Sequence, residues 1–97
     1  MAITKYKKVS VVHMKSPRGR FIPHSLIITT DDGQYLQSYG KIVVFKPFTD
    51  SVILLDRKMW KHSKTTTKYR NVFLNEDKKD TEHKIHEGVY KLIDLNP

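Results

Sequence analysis

The sequence predicts an α+β domain, an antiparallel sheet of about four or five strands packed by one α-helix and a second short helix. Three observations lead there. Short β-branched runs fill the first half of the chain, each bounded by Gly, Pro or Asp. The two most apolar of them, residues 41–46 and 51–56, are separated only by Pro-Phe-Thr-Asp, a link that suits an antiparallel hairpin. After Trp60 the apolar period changes from that of a strand to that of a helix.

Residues 5–14 (KYKKVSVVHM) mix lysine with β-branched residues; Val9 and Val11 alternate and Val12 breaks the pattern. They predict an edge strand, whose lysines discourage pairing with a foreign strand. Residues 16–20 (SPRGR) turn the chain. Residues 25–30 (SLIITT) form a strand, and Asp31-Asp32-Gly33 supplies its turn, Gly33 being suited to positive φ. Residues 34–39 begin the return strand, and Gly40 marks a bend or bulge before the strongest strand, 41–46. Tyr69, Val72 and Phe73, spaced i, i+3, i+4, predict a helix over about 65–75 with that face on the sheet. Ser63 or Thr65 caps it. The threonines 65–67 suit its entry, because β-branching restricts χ1 in a helix interior. Trp60, just before the cap, packs back over the first turns. A second helix is predicted near 80–87, capped by Asp80 or Thr81, with Gly88 at C′ and Ile85 as its main core contact. Residues 89–95 (VYKLIDL) form the closing strand.

Ninety-seven residues make one domain, 1–97, whose first 24 residues are a basic strand or arm. With no cysteine, disulfide scaffolds, thiolate metal sites and Cys nucleophiles are excluded. No run approaches the ~20 apolar residues of a membrane span, and the N-terminus has no apolar stretch followed by small residues, so the expectation is a cytoplasmic protein without a membrane partner.

The net charge is +8, and it is unevenly placed. Residues 1–24 carry Lys5, Lys7, Lys8, Lys15, Arg18 and Arg20 and no acid; residues 61–75 carry Lys61, Lys64, Lys68 and Arg70 and no acid. The rest of the chain is near balance, with acids in excess after residue 75. Two basic blocks attract polyanions and speed encounter with them. On the predicted helix, Lys64, Lys68, Asn71 and Asn75 gather opposite the apolar stripe and Arg70 flanks it. Its start adds free N–H groups and the positive end of the dipole to Lys61, His62 and Ser63.

The run Ser38-Tyr39-Gly40 leading into an apolar strand, then Leu55, Trp60 and SKTTTKYRNVFL, resembles a family of small bacteriophage-encoded proteins of uncharacterised function. The ending GVYKLIDLN is similar to the family's usual ending, so the resemblance covers residues 38–96. It implies a phage origin and a shared fold, and carries no catalytic residues. Lys61-His62 stands where the family pattern has an acidic residue and a tyrosine, which makes this stretch more basic.

The motifs of catalysis are missing. No Gly-x-Ser-x-Gly, P-loop or Rossmann glycine pattern occurs, and Ser63 beside His62 is a sequence neighbour, not a triad. His83 and His86 lie one helical turn apart beside Glu82 and Glu87, but two ligands on a short exposed helix make a poor metal site. The sequence therefore predicts no enzyme, no metal and no cofactor. It predicts a phage accessory protein that binds nucleic acid, DNA or RNA, mainly by phosphate contacts. The residues are Lys5, Lys7, Lys8, Arg18, Arg20, Lys61, Lys64, Lys68 and Arg70. Tyr6, Phe21, Tyr35 and Tyr39, interleaved with cations, add candidates for stacking on bases. The alternative is a phage inhibitor that occludes a host or defence protein presenting an acidic surface.

Overall fold

The computed structural model describes residues 8–96. Its elements run β1 (Ser10–Lys15), β2 (Phe21–Thr29), β3 (Gly33–Ser38), β4 (Lys41–Pro47), β5 (Ile53–Asp56), α1 (Lys64–Leu74), α2 (Lys78–His86) and β6 (Tyr90–Ile93). The fold is α+β, with six strands lying side by side in chain order. β1 to β5 form an antiparallel meander. The sheet is mixed because β6 pairs parallel to β5, from Ile53 opposite Tyr90 to Asp56 opposite Ile93. A parallel neighbour needs a long crossover, and α1 and α2 supply it. No helix among the described residues is long and apolar enough to cross a membrane.

β2 begins at Phe21, four residues before the predicted strand, and runs through Pro23. Its pairing with β3 starts only at Ser25, so Pro23 lies where β2 overhangs β3, and its missing N–H breaks no ladder on that side. Gly33 differs from expectation in its reason. It is not among the glycines with positive φ, which are Gly19, Gly40 and Gly88. A Cβ here would sit 2.3 Å from the carbonyl oxygen of Lys46 and 2.8 Å from Cα of Pro47, so close approach of β4 requires the glycine. Tyr39 (φ 50°) and Gly40 (φ 80°) both take positive φ between the paired Ser38 and Lys41, the form of a two-residue I′ hairpin. The bulge lies away from the turn, where the register shifts between the Gln37–Ile42 and Leu36–Val44 pairs and leaves Val43 as the extra residue of β4.

Register assigns the faces, because residues paired across a ladder share one. Val12, Ile27, Leu36, Val44, Leu55 and Leu92 form one row. Both helices lie on that side: Ser38 and Thr66 exchange a hydrogen bond at 3.3 Å, and α2 packs on β6. Leu36, Val43, Val44 and Leu55 are fully buried there, with Trp60, Tyr69, Phe73 and Tyr90 closing the core. The neighbouring row, Val11, Ile28, Tyr35, Phe45, Leu54 and Lys91, faces the other way.

Candidate nucleic-acid interface

α1 starts one residue before the predicted helix. Ser63 is its N-cap, with extended backbone and a side chain that accepts the N–H of Thr66 at 3.1 Å. Thr66 is buried between this cap and Ser38 of the sheet, which is why a threonine is tolerated in the first turn. Asn75 ends the helix in the left-handed conformation. Tyr69 and Phe73 are buried as predicted; Val72 is 50% exposed. The inward face is instead Thr66, Tyr69, Arg70 and Phe73, rotated toward α2.

On the outer side of α1 an open groove is lined by Lys61, Ser63, Lys64, Thr67, Lys68, Asn71 and Lys78. Among the described residues, four ammonium groups and no carboxylate line it. Lys78 opens α2, whose start lies beside α1 because only Asn75, Glu76 and Asp77 separate the two helices. Of the cations named from sequence, the structure brings together Lys61, Lys64 and Lys68, all exposed. Arg18 and Arg20 are exposed on the turn between β1 and β2, at the outer edge of the sheet, while α1 packs against β3 and β4. Lys8 is exposed just before β1. Lys5 and Lys7, and the aromatic Tyr6, lie outside the described residues.

Arg70 is the correction. It does not flank an exposed face; it is fully buried. Its guanidinium donates to the carbonyl oxygen of Trp60 and, at 2.6 Å, to Oδ1 of Asn71, and it lies 5.3 Å from the Trp60 ring centroid. Burial pulls its pKa down, while Glu76, Glu82 and Tyr90 pull it up. Its Nε has no hydrogen-bond partner among the described residues. The helical wheel put Arg70 at the edge of the stripe; the docking of Trp60 and α2 extends the interior over that edge. Arg70 therefore holds Trp60 and α1 together and offers nothing to a phosphate.

Residues 9–88 match a family model described as a family of unknown function (DUF8033). The chain belongs to this family. The match runs from before β1 through α2, so it takes in residues 9–37, which the resemblance over 38–96 left out. No curated protein and no solved structure matches the chain.

Two carboxylates of this family member are built into the fold in ways its sequence did not announce. Glu76, between the helices, accepts from Thr81 Oγ1 at 2.6 Å, Lys84 Nζ at 2.7 Å and the Tyr90 hydroxyl at 2.7 Å. Burial pushes its pKa up, but the three donors outweigh it and leave the carboxyl below its ordinary value. Asp56, at the end of β5, accepts the backbone N–H groups of Lys58, Met59 and Leu95. Burial again raises its pKa, but these N–H groups with Asn96 outweigh it and leave the carboxyl below the usual aspartate range. Both serve architecture: Glu76 ties α2 to β6, and Asp56 closes the turn after β5. His83 pairs with Glu87 at 3.2 Å on the exposed side of α2. Among the described residues no group of three or more His, Cys, Asp or Glu is arranged to hold a metal.

The aromatics named for stacking are divided. Tyr39 is 64% exposed and stacks on His24 with centroids 4.3 Å apart; Phe21 is 65% exposed at the β1 edge. Tyr35 lies on the open sheet face against Phe45, at 4.5 Å, in a cleft whose charged lining is Asp31, Asp32 and Lys91. Among the described residues the charged lining of that cleft is not basic, so the lysine groove and the aromatic sheet face are separate places.

Proposed function

We propose that this chain is a non-enzymatic, phage-encoded accessory protein that acts in a bacterial host cytoplasm by binding nucleic acid through phosphate contacts along α1. The observation that carries the reading is the groove of Lys61, Lys64, Lys68 and Lys78 with Asn71, which has no carboxylate in its lining among the described residues. A row of ammonium groups on one helix face follows a phosphate backbone without reading bases, so affinity depends on salt and little on sequence. The resemblance over residues 38–96 supports the phage origin.

Fluorescence anisotropy with labelled short DNA and RNA tests the proposal. Binding is expected at ~50 mM salt and is expected to weaken steeply by ~200 mM. Lys64→Glu with Lys68→Glu is expected to remove it. Wild-type protein that binds neither nucleic acid at the lower salt overturns the reading and leaves occlusion of a host protein as the alternative.

A further inference from the structure

The turn between β3 and β4 holds a residue that its geometry disfavours. Tyr39 and Gly40 fill the two positions of an I′ turn, where Asn-Gly is the ordinary pair. A bulky side chain at φ 50° is strained. Packing does not call for it, because Tyr39 is largely exposed. Strained residues of this kind cluster at ligand clamps and switch regions.

The ring is nonetheless held still. It stacks on His24 with planes 8° apart, and the Tyr39 N–H donates to the His24 carbonyl oxygen at 2.9 Å. His24 in turn meets Tyr69 of α1 edge-on, with centroids 5.6 Å apart. One face of the Tyr39 ring is therefore occupied, and its exposure leaves the other open. The turn also adjoins the lysine groove by two routes. Ser38, next to Tyr39, bonds Thr66, and Thr66 accepts from Ser63 in the groove's lining. Beyond His24, Lys68 Nζ stands 5.5 Å from the Tyr69 centroid. Three ring contacts thus connect the exposed tyrosine to a groove lysine, a span that a single strand of ~4 nucleotides covers.

We propose that Tyr39, braced by His24, is a stacking platform for one base of a single-stranded nucleic acid whose phosphates lie in the lysine groove. This deepens the phosphate reading and rests on it. A duplex presents the same phosphates but keeps its bases stacked inside, so only a strand with unstacked bases uses both places. Every base has a face to stack, so the platform selects single strands without selecting sequence. Because His24 fixes the ring beforehand, little freedom is lost when a base arrives.

Fluorescence anisotropy at ~50 mM salt, with labelled oligo-dT of ~10 nucleotides and an abasic strand of the same length, tests this. The abasic strand keeps the phosphates and lacks the bases. Wild-type protein is expected to bind oligo-dT about tenfold more tightly than the abasic strand. Tyr39→Asn puts the favoured Asn-Gly pair in the turn, which keeps the fold, and is expected to bring that ratio close to one. Tyr39→Trp retains an aromatic face and is expected to retain the ratio. Oligo-U in parallel assigns the platform to RNA if it binds more tightly than oligo-dT, and to DNA if the order is reversed. A wild-type ratio near one, or an undiminished ratio in Tyr39→Asn, overturns the platform and leaves the phosphate reading standing. Wild-type protein that binds none of the strands overturns both.

Discussion

At the scale of single residues, the interior depends on three charged groups, Arg70, Glu76 and Asp56. Arg70 is a buried cation with no carboxylate within ion-pair distance among the described residues, held by a carbonyl, an amide and an indole ring. Arg70→Ala removes both the packing and the donors and is expected to cost about 2–4 kcal/mol, read from urea midpoints. Arg70→Met keeps most of the volume and is expected to cost less. Neither variant, once folded, is expected to change nucleic-acid affinity, whereas a role at the phosphate would show as weaker binding by both. Glu76 makes stability depend on pH. Its folded pKa lies below the unfolded value, so its contribution is present above ~4.3 and drains as pH falls through the folded pKa. Asp56 has the same sign around ~3.9. Urea midpoints are therefore expected to hold from neutrality to about pH 5 and then fall, with Glu76→Gln lowering the plateau by about 1–3 kcal/mol and shallowing the fall. An equally steep acid fall in Glu76→Gln would remove Glu76 from this role.

At the scale of elements, the N-cap of α1 and the glycine that ends α2 were legible, and the cap of α2 and the close approaches were not. Ser63 capping α1 and Gly88 following α2 with φ 80° follow from local chemistry that four or five residues contain. Ser63→Ala is accordingly expected to cost about 1 kcal/mol in thermal or urea unfolding. The sequence starts α2 near residue 80, two residues late, because Asp80 or Thr81 is taken as its cap. Asp77 caps the helix, and Asp80 returns a bond to its backbone, a capping box with aspartate where glutamate is usual. Gly33 and Val72 show what a sequence read alone leaves out. Nothing local says that β4 crosses within 2.3 Å of a Gly33 Cβ, or that α1 rotates until Arg70 is inside and Val72 outside. Gly33→Ala forces the backbone of β4 to move and is expected to cost about 1–3 kcal/mol. A neutral result would mean that the two strands separate easily at this end. The parallel β5–β6 pair belongs with these, since the direction of the last strand is set by how two helices fold back and not by its own residues.

At the scale of the whole molecule, the chain is polar in the literal sense: lysines outside α1, and an apolar aromatic sheet on the far side. The charge blocks were visible in the sequence, but whether they share a surface was not, because sequence order says nothing about which strand α1 crosses. The structure sets Arg18 and Arg20 on the turn at the β1 edge and the α1 lysines over the middle of the sheet. The salt dependence of binding separates the two. If the groove alone touches phosphate, its four lysines neutralise up to four charges, and log affinity against log salt for duplex DNA is expected to fall with a slope of about −3 to −4. Arg18→Ala with Arg20→Ala is then expected to leave that slope unchanged, while Lys61→Ala and Lys78→Ala each reduce it by about one. A slope near −6 that drops when the two arginines are removed would instead mean that a long duplex bends around, or spans, both regions. In that case the footprint is the edge of the sheet together with α1, and the groove is only its central part.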